Sequence, residues 1–223
     1  MKLHRGAVAL IIILVVVALD QWLKIWVKTH FYLGEHVDIL PFFQLRFVEN
    51  PGMAFGWELG SKLFLTIFRI IVVVLLSIYL YRLRRVTLAP MGYVVCVALI
   101  IAGAAGNIFD CVFYGEIFTD PYPPRVAHFV PWGDGYAPLF HGKVVDMLYF
   151  PLFAFQWPEW MPWVGGKVFS FFDPVFNLAD AAISVGMIVL LLFYSRYVMV
   201  SSNADVEKIH ARHDEKEKDD KEA

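Results

Sequence analysis

The chain reads as an all-α membrane protein: a four-transmembrane-helix bundle with a small extracytoplasmic β and interfacial-helix element and an enlarged outer loop. Three observations predict this class. Hydrophobic residues make up 59% of the 223 residues and charged residues 18%, with a mean hydropathy of +0.59, too little polar surface for a soluble globular domain. Four stretches, 7–27, 63–83, 89–110 and 174–199, are long and apolar enough to cross about 30 Å of hydrocarbon. Finally, Lys2 and Arg5, then Arg82, Arg84 and Arg85, then Arg196 all fall on one side of a four-span path, so both termini are expected in the cytoplasm.

Each element has its own justification. The N-terminus imitates a signal peptide, but Asp20 and Lys24 follow the apolar run with no small-x-small cleavage site, so it reads as an uncleaved first span. Segment 28–62 faces outside and contains the alternating stretch Phe42-Phe43-Gln44-Leu45-Arg46-Phe47, which predicts a short β element followed by an interfacial helix near Trp57. A short arginine loop joins spans two and three. Span three carries Ala102, Gly103 and Gly106, small residues that allow close helix packing. The outer segment 112–173 holds eight of the twelve prolines and four of the seven tryptophans. Its Trp157, Trp160 and Trp163 alternate with Pro158 and Pro162, which suits a loop in the headgroup region. Asp173-Pro174 predicts the N-cap and first turn of span four. Residues 1–202 thus form one four-span domain. Residues 203–223, with 13 of the 40 charges, form a solvated cytoplasmic tail without chemistry of its own.

Several classes are excluded at this point. A net charge of −2 supplies no basic field for nucleic acid. Cys96 and Cys111 on one helix would lie about 22 Å apart, too far for a disulfide. The seven histidines are scattered, and no spacing resembles a zinc site. No metal or cofactor is expected.

Depth is the most informative quantity. At 1.5 Å per residue, Asp20 lies about 20 Å up span one, roughly 10 Å below the outer face. Arg69 and Asp180 lie about 9 Å in from that face, and Asn107 and Asp110 end span three on it. Ionisable groups in lipid are costly and mark functional sites. Here they form one layer in the outer third, while the inner halves of the spans are almost purely Val, Ile, Leu and Ala. Asp20 and Lys24 are i,i+4 in the favourable order, which fits either a structural ion pair or substrate contact. Asn107 and Asp110 share a helix face, as do Asn177 and Asp180, and the first pair reads best as an interhelical latch. Asp146 sits in a short apolar run bounded by Gly142 and Pro151, where a cap or a salt bridge with Lys143 is the bland reading. The alternative is a pair of outer-rim aspartates, Asp146 and Asp180. Two carboxylates brought together in low dielectric share a proton, so one accepts a proton from water while the other polarises a carbonyl.

At these residues the sequence resembles the lipoprotein signal peptidases, the type II signal peptidases of bacteria. The resemblance rests on five motifs in the family's order: Asp20-x-x-x-Lys24; Asn50-Pro51-Gly52-Met53-Ala54-Phe55-Gly56; Ala102-Gly103-Ala104-Ala105-Gly106-Asn107-Ile108-Phe109-Asp110; Val144-Val145-Asp146; and Phe176-Asn177-Leu178-Ala179-Asp180-Ala181-Ala182-Ile183. It implies an aspartyl endopeptidase of the bacterial inner membrane, with its site toward the outer face. Its substrates would be diacylglyceryl-modified prolipoproteins, cut just before the lipidated cysteine. Asp146 and Asp180 match the catalytic dyad. Asn50, Gly52, Asn107 and Asn177 match positions that line the site, and Asp20, Lys24 and Asp110 match supporting polar positions. The resemblance also implies inhibition by globomycin, contact with membrane lipid and action as a monomer.

Two departures stand out. The family usually continues Asp-Arg where this chain has Asp110-Cys111, which passes the arginine's role to another cation such as Arg69, Arg125 or Lys143. The connections 114–142 and 150–173 are also expanded, as a cap over the site or a docking surface. Two readings compete with the peptidase: a small transporter using the same charges as a pathway, and a scaffold held by buried ion pairs. The apolar inner halves of the spans disfavour the transporter.

Overall fold

A computed structural model describes residues 4–51, 62–198 and 200–222. Gly52 and the remainder of its motif, together with the interfacial helix expected near Trp57, lie outside the described residues.

The chain forms two compact units: Met1–Leu19, Ile67–Ile108 and Ala179–Ala223 in the first, Asp20–Thr66 and Phe109–Leu178 in the second. The element order is α1 (Arg5–His30), β1 (His36–Leu40), β2 (Phe43–Asn50), α2 (Lys62–Leu83), α3 (Met91–Phe109), a π-helical turn (Asp110–Tyr114), α4 (Gly115–Ile117), β3 (Val144–Tyr149), β4 (Phe153–Gln156), β5 (Val168–Phe171), α5 (Leu178–Phe193), a 3₁₀ turn (Ser195–Tyr197) and α6 (Asn203–Glu222). Among the described residues, three helical stretches are long and apolar enough to cross a bilayer: Arg5–His30, Lys62–Leu83 and Met91–Ile117. α5 is a shorter apolar helix.

In the first unit, small residues bring α3 against α5. A Cβ on Gly103 would stand 2.2 Å from the carbonyl oxygen of Ala179 and 2.7 Å from Ile183 Cγ1. One on Gly186 would stand 2.9 Å from the Cys96 carbonyl oxygen. Backbones this close gain dispersion contact that lipid cannot supply. The core of the unit runs from Ala9 through Val94, Val97 and Ile101 to Leu190 and Val206. At one end Arg5 donates to the carbonyls of Thr87 and Ala89, and Leu88 N–H donates to Asn203 Oδ1 at 3.1 Å, so the α2–α3 loop is tied to the start of α1 and the start of α6. Apolar side chains such as Leu14, Leu75 and Leu192 stay more than half exposed, the outward apolar surface of a protein solvated by lipid.

The second unit is organised by a three-stranded antiparallel sheet in the order β1-β2-β3. The alternation read from residues 42–47 is the start of β2, and the apolar run at 144–148 is β3, whose residues are almost all buried. Val27, Phe31, Phe47, Tyr114, Phe118, Val145 and Met147 pack its core. The stretch after the π turn folds back on it: Gly142 N–H donates to the Cys111 carbonyl at 2.9 Å and Phe140 N–H to that of Val112 at 3.2 Å. A Cβ on Gly142 would sit 2.1 Å from the Asp110 carbonyl oxygen, so only glycine fits.

Both boundaries of the last apolar helix differ from the sequence expectation. α5 begins after Asn177, and Asp173-Pro174 is not its cap. Residues 174–177 are drawn out of the helix because Phe176 bridges Leu148 of β3, with Leu148 N–H donating to Phe176 O at 2.7 Å and Phe176 N–H to Leu148 O at 3.0 Å. Asp173 instead accepts the Tyr149 hydroxyl at 3.0 Å. The far end stops at Phe193, before the 3₁₀ turn.

The α3–α5 contact yields a prediction. Gly103→Ala forces the two backbones apart and is expected to cost about 1–3 kcal/mol, read as a lowered midpoint of thermal unfolding in detergent. An unchanged midpoint would show that the contact is not tight.

Candidate active site

Four groups of polar side chains stand on these elements. The first, in the second unit, centres on Lys24. Asp20, Lys24 and Lys28 form an i,i+4 row along one face of α1, a row that helical geometry stacks. Lys24 is fully buried and its ammonium lies 2.9 Å from Asp20 and 2.8 Å from Asp110. Gln21 Nε2 donates to Asp110 Oδ1 at 2.8 Å, and Tyr114 hydroxyl donates to Gln21 Oε1 at 3.0 Å. Asp110 Oδ2 also accepts the backbone N–H of Val145 at 3.3 Å. The carboxylate thus ties the lysine of α1 to the strand that carries Asp146.

Asp146 is the second feature of that unit. It lies at the middle of β3 opposite Val48, while Asn50 stands opposite Val144. With a period of two, Asn50 and Asp146 are diagonal neighbours on one face of the sheet. Asn177 Nδ2 donates to Asp146 Oδ1 at 2.7 Å, with both side chains buried. The salt bridge considered between Asp146 and Lys143 is not formed. Lys143 pairs instead with Glu49 at 3.0 Å and Asp120 at 2.8 Å, because the strand alternates and residues 143 and 146 point to opposite faces.

In the first unit, Asn107 Nδ2 donates to Asp180 Oδ1 at 2.7 Å. This pair is delivered by the glycine contact between α3 and α5. Asp180 stands in the first turn of α5, where unpaired backbone N–H groups favour an anion. Asn107 thus bonds across from α3 to α5, and its partner is one of the two aspartates singled out from the sequence. Each of those aspartates accepts an asparagine amide within its own unit.

The fourth group was not anticipated. Lys28, fully buried, pairs with Glu49 and faces the rings of Phe118 at 5.3 Å and Tyr136 at 5.0 Å. Burial pushes the Lys143 ammonium down, and the neighbouring Asp120 and Glu49 carboxylates more than restore it, so its pKa stands above the ordinary lysine value. Burial likewise raises the Tyr136 hydroxyl, which accepts the Lys143 backbone N–H at 2.7 Å. The i,i+4 continuation from Lys24 to Lys28 was a usable signal. Glu49 and Gln21 had none, since their partners are 21 and 89 residues away.

Cys111, where the resemblance led an arginine to be expected, has 1% of its surface exposed, and its carbonyl accepts the Gly142 N–H at 2.9 Å. Of the cations considered as substitutes, Lys143 is committed to Glu49 and Asp120, Arg125 is exposed and Arg69 is half-buried on α2. Among the described residues, no group of three or more His, Cys, Asp or Glu is placed to hold a metal ion.

Apolar helices long enough to span a bilayer, a small sheet and two carboxylate–amide pairs, one of them buried, mark a membrane protein with a polar site of the kind a membrane-embedded enzyme needs. Two solved structures share the fold, both described as bacterial membrane enzymes. One, at 2.3 Å, has a TM-score of 0.57 and 22% identity over 86% of this chain and 90% of that one. The other, at 1.9 Å, has a TM-score of 0.54 and 24% identity over 84% and 94%. The family described as signal peptidase (SPase) II matches residues 12–196. A lipoprotein signal peptidase of Porphyromonas gingivalis is 48% identical over 197 residues, 88% of this chain and 87% of the relative. Those of Amoebophilus asiaticus and Neisseria gonorrhoeae are 38% and 31% identical, over 81% and 82% of this chain and 75% and 85% of the relatives. The chain belongs to the signal peptidase II family and is a membrane peptidase.

The lysine cluster carries a prediction. Lys24→Met leaves Asp20 and Asp110 buried without their cation and is expected to cost about 3–5 kcal/mol, measured by unfolding in detergent. Adding Asp20→Asn and Asp110→Asn to Lys24→Met is expected to recover most of that loss. Equal stability of the single variant and the native chain would contradict the assignment.

Proposed function

We propose that this protein removes signal peptides from diacylglyceryl-modified prolipoproteins, cutting just before the lipidated cysteine, and that Asp146 and Asp180 act together as an aspartyl dyad. The observation that carries the reading is the match of each aspartate to its family motif, joined to the finding that each accepts a neutral asparagine amide at 2.7 Å. An amide orients a carboxylate without adding a charge that would neutralise it. Chain connectivity adds support: Asn177, the partner of Asp146, precedes Asp180 by three residues.

In this mechanism the dyad holds one proton. The ionised carboxylate takes a proton from water, and the water oxygen adds to the scissile carbonyl carbon. The protonated carboxyl donates to the carbonyl oxygen as charge develops there. Collapse of the tetrahedral intermediate breaks the C–N bond, and the proton taken from water passes to the departing amine of the lipidated cysteine. Asn50 and Gly52 are assigned to substrate positioning, Asn107 and Asn177 to orienting the carboxylates. Asp20, Lys24 and Asp110 support strand β3.

The wider reading has four spans, with α5 and its flanking residues as the fourth, and residues 203–223 as a cytoplasmic tail. The protein sits as a monomer in the bacterial inner membrane, both termini inside and the dyad near the outer face. A substrate held by its diacylglyceryl group in that leaflet reaches the dyad without leaving the lipid, and the membrane supplies alignment that a soluble enzyme must obtain from binding. Globomycin is expected to inhibit.

Asp146→Asn and Asp180→Asn are each expected to lower cleavage of a diacylated precursor by about 10²–10⁴-fold or more, while circular dichroism and the unfolding midpoint stay near those of the native chain. Chelators are expected to leave turnover unchanged. Full activity in either variant would overturn the dyad, and loss of folding in both would favour the scaffold reading.

A further inference from the structure

The hairpin β4–β5 has no part in the reaction above and is built in an unusual way. Its register pairs Phe153 with Phe171 and Phe155 with Phe169, while Ala154 pairs with Ser170 and Gln156 with Val168. Successive strand residues alternate faces, so four phenylalanines share one face. Their rings form a ladder: Phe153 and Phe171 lie 5.0 Å apart and nearly parallel, Phe155 and Phe169 lie 5.1 Å apart, and Trp157 closes the row 4.8 Å from Phe155. A ladder of this kind normally faces a core. Here Phe153, Phe155, Phe169 and Phe171 are 51%, 40%, 39% and 48% exposed, and Trp160 and Trp163 in the connecting turn reach 79% and 94%. A two-stranded hairpin is marginal by itself in water, and apolar area left in water forgoes about 25 cal/mol per Å².

The identity of the cover follows from charge, composition and attachment. Residues 150–173 contain nine aromatic residues but only three charges, Glu159, Lys167 and Asp173, so the hairpin offers no field that a charged partner would match. Tryptophans interleaved with prolines suit the headgroup layer, where amphipathic rings settle. The base of the hairpin is also fixed within a membrane peptidase. Tyr149 donates to Asp173 across it at 3.0 Å, Phe150 stacks between Phe43 at 4.9 Å and Phe176 at 5.8 Å, and the apolar helix α5 begins seven residues after Phe171.

We propose that the β4–β5 hairpin is a membrane-interface anchor, with its phenylalanine face and tryptophan turn seated in the headgroup layer of the phospholipid bilayer. Its clamped base fixes the height of β3 relative to that layer. In the aspartyl reading, on which this last consequence rests, that height is the depth of Asp146.

The test uses the full chain in phosphatidylcholine vesicles, with tryptophan fluorescence quenched either by lipids spin-labelled near the headgroup or by aqueous iodide. The double variant Trp160→Phe/Trp163→Phe is compared with the native chain, the difference reporting on those two rings. The expected result is a loss of lipid-label quenching in the variant with no loss of iodide quenching. The same result is expected when anionic lipid is added. Rings quenched by iodide and untouched by labelled lipid would overturn the proposal and leave the hairpin to a protein partner. Dependence on anionic lipid would overturn it too. The readout needs no catalysis, so failure of the dyad reading would leave it intact. If both hold, Phe153→Ser/Phe171→Ser is expected to raise the KM for a diacylated precursor in vesicles and leave cleavage in detergent unchanged.

Discussion

The second unit depends on one buried cation. Lys24 is withdrawn from solvent with two carboxylates against it. A lone ammonium in that environment would be prohibitive. The arrangement survives because Asp20 arrives from the preceding helical turn and Asp110 from the end of α3, with Gln21 and Tyr114 occupying further hydrogen-bonding positions. Such clusters contribute little net stability compared with apolar packing, yet they are costly to break. What they supply is a unique geometry. Here that geometry passes from Asp110 to the Val145 amide and so to the strand that holds Asp146.

The π-helical turn at Asp110–Tyr114 is part of the same constraint. A π turn shifts the residues after it around the helix axis and is frequent at functional sites. Directly after it, segment 115–142 returns through Phe140 and Gly142 to the carbonyls of Val112 and Cys111. Lys143, directly after that segment, is held by Glu49 and Asp120. The segment is thus bonded into the unit at the π turn and at β2.

Much of this was legible in the sequence where the signal is local. Apolar length located the helices, alternation located β2, and i,i+4 spacing located the Asp20–Lys24 pair. Motif order singled out Asp146, Asp180 and their neighbours. What could not be read depended on long-range pairing. The late start of α5 follows from Phe176 bonding to Leu148, which no capping rule anticipates. The choice of Asn177 over Lys143 as partner of Asp146 follows from strand register. Lys28 and Glu49 meet because the C-terminal part of α1 and β2 belong to one unit. The phenylalanine ladder likewise exists only once Phe153 is paired with Phe171.

In the proposed mechanism two carboxylates activate water directly, with no acyl-enzyme. Single-turnover cleavage of a diacylated precursor in H₂¹⁸O containing hydroxylamine, with mass analysis of the released signal peptide, tests this step. One ¹⁸O is expected in the new carboxylate of every product, and no hydroxamate. Hydroxamate formed at the expense of the acid would reveal an acyl-enzyme and contradict the mechanism.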